Sequence, residues 1–237
     1  MIGYGKMGRT IEQLAVEMGH EMVLKIGSQN VEELTVENLR KADVAIEFSL
    51  PTTAFQNLKL CIDAGVPVVC GTTAWLDDYE ALVAYCNNKK GSFLYASNFS
   101  IGVNIFFQLN QYLAKMMTQF GDYAVNVEEI HHTQKLDAPS GTAVTLAKDI
   151  VTHHKVYQNY QLDESQAEIP AEIVPVVAKR IDNVPGTHTI SYESEVDTIS
   201  ISHVAHSRIG FAKGAIKAAE WISDKQGVFS MQDMLAL

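Results

Sequence analysis

The feature that most restricts the possible folds is a glycine-rich loop near the start of the sequence. Its glycines follow the spacing Gly-x-Gly-x-x-Gly, and apolar residues at positions 11, 14, 15 and 18 predict a helix directly after it. Glycines in this spacing permit a tight turn, close approach of a pyrophosphate to the backbone and close helix–strand packing. The loop therefore predicts a dinucleotide site, although a glycine turn without a ligand fits the motif alone. The candidate residues are Gly3, Tyr4, Gly5, Lys6, Met7 and Gly8.

Strands and helices are predicted to alternate after the loop. Apolar runs at 22–26, 43–48, 67–70 and 92–96 predict strands, and apolar residues at helical spacing predict helices from Pro51 to Ala64 and around Tyr79 to Cys86. This order is typical of a Rossmann-like, doubly wound parallel sheet. Met1 and Ile2 alone precede the loop, so the first strand is either stunted or already under way where the sequence starts.

In open α/β sheets, ligands bind beyond the carboxyl ends of the strands. The residues that follow the predicted strands mix small, hydroxyl, amide and aromatic side chains, as expected around a nucleotide. Each turn by itself is also compatible with an ordinary βα connection. These candidates are Phe48, Gly71, Thr72, Thr73, Ala96, Ser97, Asn98 and Phe99.

After Asn98 the pattern changes to that of a second domain. We predict a long helix over 105–116, a strand ahead of His131, a polar loop over 155–168, and β-structure over 173–178 in which Pro175 suggests an edge or a bulge. Side chains that alternate between the two faces over 188–192 and 199–203 predict a hairpin. A final helix is predicted after Arg208. We therefore expect an α/β chain with a dinucleotide-binding domain at 1–98 plus 208–237. An α+β substrate-binding and oligomerisation domain is inserted at 99–207.

Reactive side chains are densest over residues 128–143. A helix N-terminus offers unpaired N–H groups to an anion, and histidine exchanges protons near neutral pH. The segment therefore predicts an anion clamp beside an acid/base group. Taken without the rest of the chain, the segment is also compatible with solvent-facing histidines and a serine that only caps a helix. It contains His131, His132, Lys135 and the helix opening Ser140-Gly141-Thr142.

Composition narrows the range of partners. The formal net charge is -10 without a basic run, which disfavours nucleic acid. No apolar run approaches the roughly 20 residues of a membrane span, so we expect no membrane partner and a cytoplasmic location. Cys61, Cys70 and Cys86 form no Cys-x-x-Cys pair and are expected to be buried thiols.

Taken together, these patterns resemble the 4-hydroxy-tetrahydrodipicolinate reductase family, also called dihydrodipicolinate reductases. The resemblance extends over nearly all of the chain. The run His-His-x-x-Lys-x-Asp-Ala-Pro-Ser-Gly-Thr is highly specific to that family, whereas the glycine loop is not. The matching runs are Gly3 to Arg9, Gly71 to Thr73, Ala96 to Ser100, His131-His132 with Lys135 to Thr142, and Ser207-Arg208 with Phe211-Ala212 and Gly214-Ala215.

The resemblance implies a reaction and roles for individual residues. NAD(P)H delivers hydride to C4 of 4-hydroxy-tetrahydrodipicolinate, a cyclic dicarboxylate, and water is lost to give tetrahydrodipicolinate, in lysine and diaminopimelate biosynthesis. His131 would be the general acid/base and Lys135 the proton donor, while Asp137 fits an orienting or a plain turn role equally. The resemblance also implies a homotetramer. Substrate contacts would be His132, Gly141 and Thr142. Arg208 and Phe211 would reach the nicotinamide, although a surface arginine and a core aromatic fit their spacing equally well.

The expected cofactor is NADPH or NADH. After Ile26, Gly27 and Ser28 stand where NAD-type enzymes carry an acidic residue. Without that carboxylate nothing repels a 2′-phosphate, for which Lys6 is a candidate partner, so NADPH should serve at least as well as NADH.

Two other classes of protein remain open alternatives. A different two-domain nicotinamide-dependent reductase would carry another substrate loop. A non-catalytic NAD-binding sensor would bind cofactor without turnover. No metal site is expected, because adjacent histidines point to opposite sides and lack a matching carboxylate or thiolate set.

Overall fold

The computed structural model describes residues 1–163, 169–207 and 209–236. The chain divides into two compact units, Met1–Ile101 with Ile209–Leu237 and Gly102–Arg208. Across the described ranges, no helix has the length and apolar character needed to cross a membrane.

A parallel sheet of four strands forms the centre of the first unit. Its strands, in spatial order, are β1 (Ala45–Glu47), β2 (Val68–Cys70), β3 (Ser92–Tyr95) and β9 (Gly227–Phe229). Helices connect and flank these strands. They are α1 (Lys6–Glu17), α2 (Val36–Leu39), α3 (Pro51–Ala64), α4 (Tyr79–Lys89), α7 (Ile209–Ile222) and α8 (Met231–Leu235), with 3₁₀ turns at Val31–Glu33 and Leu76–Asp78.

Each face of this sheet has its own hydrophobic core, because successive strand residues point to opposite faces. Val68 and Phe93 pack in one core with residues of α3 and α4. Val69 and Leu94 pack in the other with residues of α1 and α7. Helices on both faces of a parallel sheet confirm the predicted Rossmann-like, doubly wound arrangement.

One predicted strand of this unit is reduced to a single bridge. Ile2 bridges both Ile26 and Glu47 in parallel, and residues 22–25 have no strand assignment. The prediction of a full strand over 22–26 is therefore wrong. A ladder needs a partner over several residues, and among the described residues this segment finds a bridging partner in Ile2 alone.

The second unit contains a mixed sheet of five strands. Its order is β5 (Asn159–Leu162), β6 (Ile173–Arg180), β4 (Ala124–His131), β7 (Gly186–Glu193) and β8 (Thr198–Ala205). Strands β5, β6 and β4 are parallel, and β7 and β8 are antiparallel to their neighbours. Helices α5 (Ile101–Met117) and α6 (Gly141–His153) pack on one face, where Phe106 and Leu146 meet Val127 and Ile190.

In this unit the predicted hairpin is confirmed and the predicted loop over 155–168 is wrong. The hairpin turns where Ser194 N–H donates to the Asp197 carbonyl oxygen at 3.0 Å. The stretch predicted as a loop over 155–168 contains β5, which pairs with β6 through its backbone. Alternate side chains of β5 are exposed, so its sequence has little of the apolar pattern that predicts a strand. Residues 164–168 lie outside the described residues. Pro175 pairs with Gln161 of β5, and the pairing of β6 with β4 begins at the next residue, Val176, so β6 is an inner strand with Pro175 at the end of its ladder to β4.

Close packing between α7 and Phe99 generates a stability prediction. A Cβ atom at Gly214 would lie 1.8 Å from the Phe99 carbonyl oxygen, whereas at Gly210, in the same helix, the nearest atom is 4.0 Å away. We expect Gly214→Ala to lower the free energy of unfolding of the first unit by at least about 2 kcal/mol, since overpacking typically costs 1–3 kcal/mol. Urea unfolding followed by tryptophan fluorescence measures this, because Trp75 and Trp221 both belong to the first unit.

Gly210→Ala is the matched control for that experiment. It should be neutral or stabilising by up to about 1 kcal/mol, because alanine is the better helix former. Equal unfolding midpoints for the two variants would contradict the packing argument.

Candidate functional site

Strand β4 carries two polar side chains into the interior of the second unit. Val125, Val127, Glu129 and His131 are buried, and the residues between them are partly exposed. The carboxylate and the imidazole thus continue the inward-facing row that the two valines begin.

Hydrogen-bond donors surround the fully buried carboxylate of Glu129. The Ser140 backbone N–H donates to both of its oxygens at 3.1 Å, and Arg180 Nη2 donates to Oε1 at 3.2 Å. His131 Nδ1 lies 3.3 Å and His188 Nε2 3.7 Å from Oε2. Burial alone would raise the pKa of Glu129, but contacts with His131, His188 and Ser140 outweigh it and hold that pKa well below its usual range. Glu129 is therefore an anion at neutral pH.

The two nitrogens of the His131 ring face different surroundings. Nδ1 lies beside Glu129, whereas a Cβ atom placed on Gly186 would lie 3.0 Å from Nε2. The His188 ring packs edge-on against His131 with centroids 5.1 Å apart. Burial lowers the pKa of His188, so its imidazole is neutral at pH 7.

Arg180 also holds the loop that joins β4 to α6. Its Nε donates to the carbonyl oxygen of Lys135 at 3.2 Å, and its Nη2 donates to that of Asp137 at 2.6 Å. Lys135 Nζ donates to the Asp137 carboxylate oxygens at 2.8 and 2.7 Å, which holds the pKa of Asp137 below its usual range. The ammonium of Lys135 therefore lies beside a counter-ion in a solvent-exposed contact.

The first turn of α6 offers backbone donors to an anion. Ser140 is the N-cap, and its Oγ accepts the Ala143 N–H at 3.2 Å and lies 3.1 Å from His188 Nε2. Gly141 is exposed, and no described atom lies within 4 Å of a Cβ placed on it. Thr142 follows it and is half-buried. An open helix N-terminus of this kind suits a carboxylate or phosphate.

His132 lines a cavity of about 300 Å³. Beside it, the Thr133 hydroxyl donates to Asp182 Oδ1 at 2.5 Å. The cavity gives His132 surroundings that differ from the interior cluster around His131. Its other lining residues are Gln134, Asn183, Val184, Pro185 and Ser207.

In the first unit, the glycine loop has the shape that a pyrophosphate requires. Gly3 has a φ of +89°, and a Cβ placed on it would lie 2.0 Å from the Phe48 carbonyl oxygen. Gly5 is the N-cap of α1, and no described atom lies within 4 Å of its Cβ position. The loop is therefore tight on one side and open on the other, which fits a phosphate group at the start of α1.

Two other cofactor candidates of this unit, Gly71 and Phe99, pack against Phe48, directly after β1. A Cβ at Gly71 would lie 2.2 Å from the Phe48 ring. The centroids of the Phe48 and Phe99 rings are 5.7 Å apart. Thr72 Oγ1 accepts the Ser49 N–H at 2.8 Å. Thr73 and Ser97 are exposed, Ala96 and Asn98 are buried, and Phe211 is half-buried in the first turn of α7; Arg208 lies outside the described residues.

Sequence reasoning did not identify three members of the second-unit cluster. Glu129 and His188 had a signal, since each is a polar residue in the inward row of an alternating strand. Arg180 had no such signal in the sequence, because it lies opposite His131 only through the register in which β6 pairs with β4.

Glu129, His131 and His188 also form a set of metal-ligand types whose ligand atoms lie within 4.8 Å of one another. Arg180 already supplies positive charge 3.2 Å from the same carboxylate. A divalent cation would be repelled by that guanidinium, so the set does not fit a metal site.

Comparisons with known proteins match both units. Residues 1–99 match the family model for dihydrodipicolinate reductase, N-terminus, and residues 102–235 match that for its C-terminus. A 4-hydroxy-tetrahydrodipicolinate reductase from Christiangramia forsetii is 49% identical over 236 residues, covering 100% of this chain and 96% of that protein. One from Chromobacterium violaceum is 36% identical over 201 residues, covering 83% and 74%. A solved structure of dipicolinate-bound dihydrodipicolinate reductase from Paenisporosarcina sp. TG-14 has a TM-score of 0.72 at 21% identity, covering 98% of this chain and 96% of that one.

Proposed function

The chain belongs to the dihydrodipicolinate reductase family, and from that membership we propose that it reduces 4-hydroxy-tetrahydrodipicolinate to tetrahydrodipicolinate with NAD(P)H. In the reaction, C4 loses its hydroxyl group as water and gains a hydride. The product belongs to the route to diaminopimelate and lysine. The observation that carries the proposal is the grouping of His131, Lys135 and the open first turn of α6 around one buried carboxylate.

A cyclic dicarboxylate needs donors for its carboxylates. We assign this role to the N–H groups of Gly141 and Thr142, to the Lys135 ammonium and to His132. The exposed start of α6 supports the first two, because the positive end of the helix dipole favours an anion there. The Paenisporosarcina relative holds dipicolinate, which is also a cyclic dicarboxylate.

Proton transfers accompany the loss of water and the reduction. We assign His131 as the group that protonates the departing hydroxyl, since imidazole exchanges protons near pH 7. Loss of water also removes a proton from the ring carbon next to C4, and we assign Lys135 as the group that returns a proton to that carbon after the hydride reaches C4. Its ion pair with Asp137 must open in that step, because Nζ donates to both Asp137 carboxylate oxygens at 2.8 and 2.7 Å.

The nicotinamide cofactor supplies the hydride, and we assign its binding to the first unit. The open backbone at Gly5 and the tight turn at Gly3 suit a pyrophosphate. Phe48 and the turn from Gly71 to Thr73 follow strands at the edge where open α/β sheets bind ligands. Buried free thiols support a cytoplasmic location for this chemistry.

We expect His131→Gln to lower kcat by about 10²–10⁴-fold, the usual contribution of a positioned proton-transfer group. NADPH affinity should change less than about twofold, since the residue belongs to the second unit. Oxidation of NADPH, followed at 340 nm with enzymatically generated substrate, gives kcat, and fluorescence titration gives the affinity.

His153→Gln is the matched control, because His153 belongs to α6 and lies outside the proposed site. It should keep the wild-type kcat. A His131→Gln variant with turnover within about threefold of wild type would show that His131 is not the acid/base group.

NADPH should have a specificity constant at least equal to that of NADH. Asn30 Oδ1, a neutral acceptor, binds the Gly27 N–H at 2.8 Å, so the segment after Ile26 presents an amide there. Lys6 is exposed in the first turn of α1. Lys6→Met should weaken NADPH and leave NADH unchanged, which kcat/KM measurements with both cofactors will test. A value for NADH more than tenfold above that for NADPH contradicts this prediction.

We also propose a homotetramer formed through the sheets of the second unit. The sheet face away from α5 and α6 carries the cross-strand hydroxyl pairs Thr189–Ser202 and Ser191–Ser200, and Val204 on β8 is 54% exposed. Sedimentation velocity should give four times the 26.1 kDa chain mass. Val204→Glu should reduce the mass of the assembly. Val31→Glu, at a similarly exposed valine of the first unit, should leave it unchanged. A monomeric wild-type protein would refute the proposed tetramer.

A further inference from the structure

We propose that Glu129 and Arg180 are positioning residues that tie His131, the Lys135 loop and the anion-binding turn of α6 into one rigid site. The proposal rests on the proposed function and adds two residues to it. Neither residue is assigned to substrate or cofactor. Their role is to fix the groups that are.

The first step of the argument concerns the His131 ring. Its Nδ1 lies 3.3 Å from Glu129 Oε2 and makes no other hydrogen bond among the described residues. A carboxylate can only accept a hydrogen bond, so this nearby negative charge favours the tautomer of the neutral ring that carries its proton on Nδ1. That leaves Nε2 as the reacting nitrogen, on the side where Gly186 has no side chain.

The second step concerns the anion-binding turn. The carboxylate that faces His131 also accepts the Ser140 N–H with both oxygens at 3.1 Å. Ser140 is the N-cap that starts α6, and Gly141 follows it. One carboxylate thus sets the distance between the acid/base group and the backbone donors proposed for the substrate carboxylate.

The third step concerns Arg180. Its guanidinium neutralises Glu129 and also donates to the carbonyl oxygens of Lys135 and Asp137. A planar fork with several donors can make these contacts together, whereas a lysine ammonium lacks that geometry. Arg180 therefore links the carboxylate to the loop that carries the proposed proton donor.

Glu129→Gln is the main test, because it keeps the side-chain shape and removes the negative charge. We expect kcat to fall at least tenfold, with the KM for NADPH within about twofold. The alkaline limb of the kcat–pH profile should move to lower pH, because the variant lacks the negative charge that lies 3.3 Å from the His131 ring. Among the described residues, the charged or titratable groups near His131 are Glu129, His188 on β7 and Arg180 on β6, and Arg180 also contacts the backbone of the loop that carries the Lys135–Asp137 pair.

The matched control is Glu128→Gln, one residue earlier on β4. Glu128 is on the opposite side of the strand and pairs with Lys179. Because that pair is partly exposed, this variant should keep the wild-type kcat and pH profile.

Two further variants separate charge from geometry, and they carry the test if Glu129→Gln does not fold, as judged by circular dichroism. Glu129→Asp keeps the charge on a shorter side chain, so kcat should fall while the alkaline limb stays at its wild-type pH. Arg180→Lys keeps the charge without the fork, so the KM for the dicarboxylate should rise at least fivefold. Wild-type kinetics in both variants would overturn the proposal.

A measurement without substrate separates this proposal from the proposed function. Nitrogen-15 NMR of labelled histidine should show the His131 proton on Nδ1 in the wild type and a mixture of tautomers in Glu129→Gln. If that change occurs in a protein without reductase activity, the positioning role stands and the function fails. If the wild type is active and Glu129→Gln matches it in kcat, pH profile and tautomer, the function stands and the positioning role fails.

Discussion

The buried Glu129 carboxylate sets the strictest physical condition on the second unit. An ionised carboxylate removed from water costs several kcal/mol unless donors replace its hydration. Here the donors come from the start of α6 and from Arg180 at the end of β6, and imidazoles on β4 and β7 lie 3.3 and 3.7 Å from the same carboxylate. The charge is tolerated only while these four elements keep their relative positions, so satisfying it also assembles the residues assigned to the chemistry.

The first unit is governed by steric fit. Gly3, Gly71 and Gly214 each stand where a Cβ atom would come within 2.5 Å of a neighbouring atom, and the neighbours are Phe48 and Phe99. Backbone and aromatic rings therefore approach more closely than ordinary side chains allow. The turns assigned to the cofactor are held by this contact, with the two apolar cores of the parallel sheet beneath them.

Sequence patterns correctly predicted helix ends that are set by the residues at those ends. Helix α3 has the predicted ends, Pro51 in its first turn and a left-handed Gly65 after its last residue. Ser140 caps α6 as its position before the helix indicated. Predictions were wrong where pairing with another strand decided whether a segment forms a strand. Residues 22–25 have strand-like composition and no ladder, whereas β5 is polar and pairs along its whole length with β6.

The sequence by itself determined the glycine loop, the order of strands and helices, and the family motif that carries His131, Lys135 and Ser140, because each of these is written in neighbouring residues. The tertiary structure alone decided what surrounds them. Arg180 is 51 positions from Glu129 along the chain, and His188 faces that carboxylate only through the antiparallel register of β4 with β7. Strand register is set by the burial of one whole face of a sheet. For that reason no local pattern could show that a single carboxylate joins His131, the loop of Lys135 and the first turn of α6.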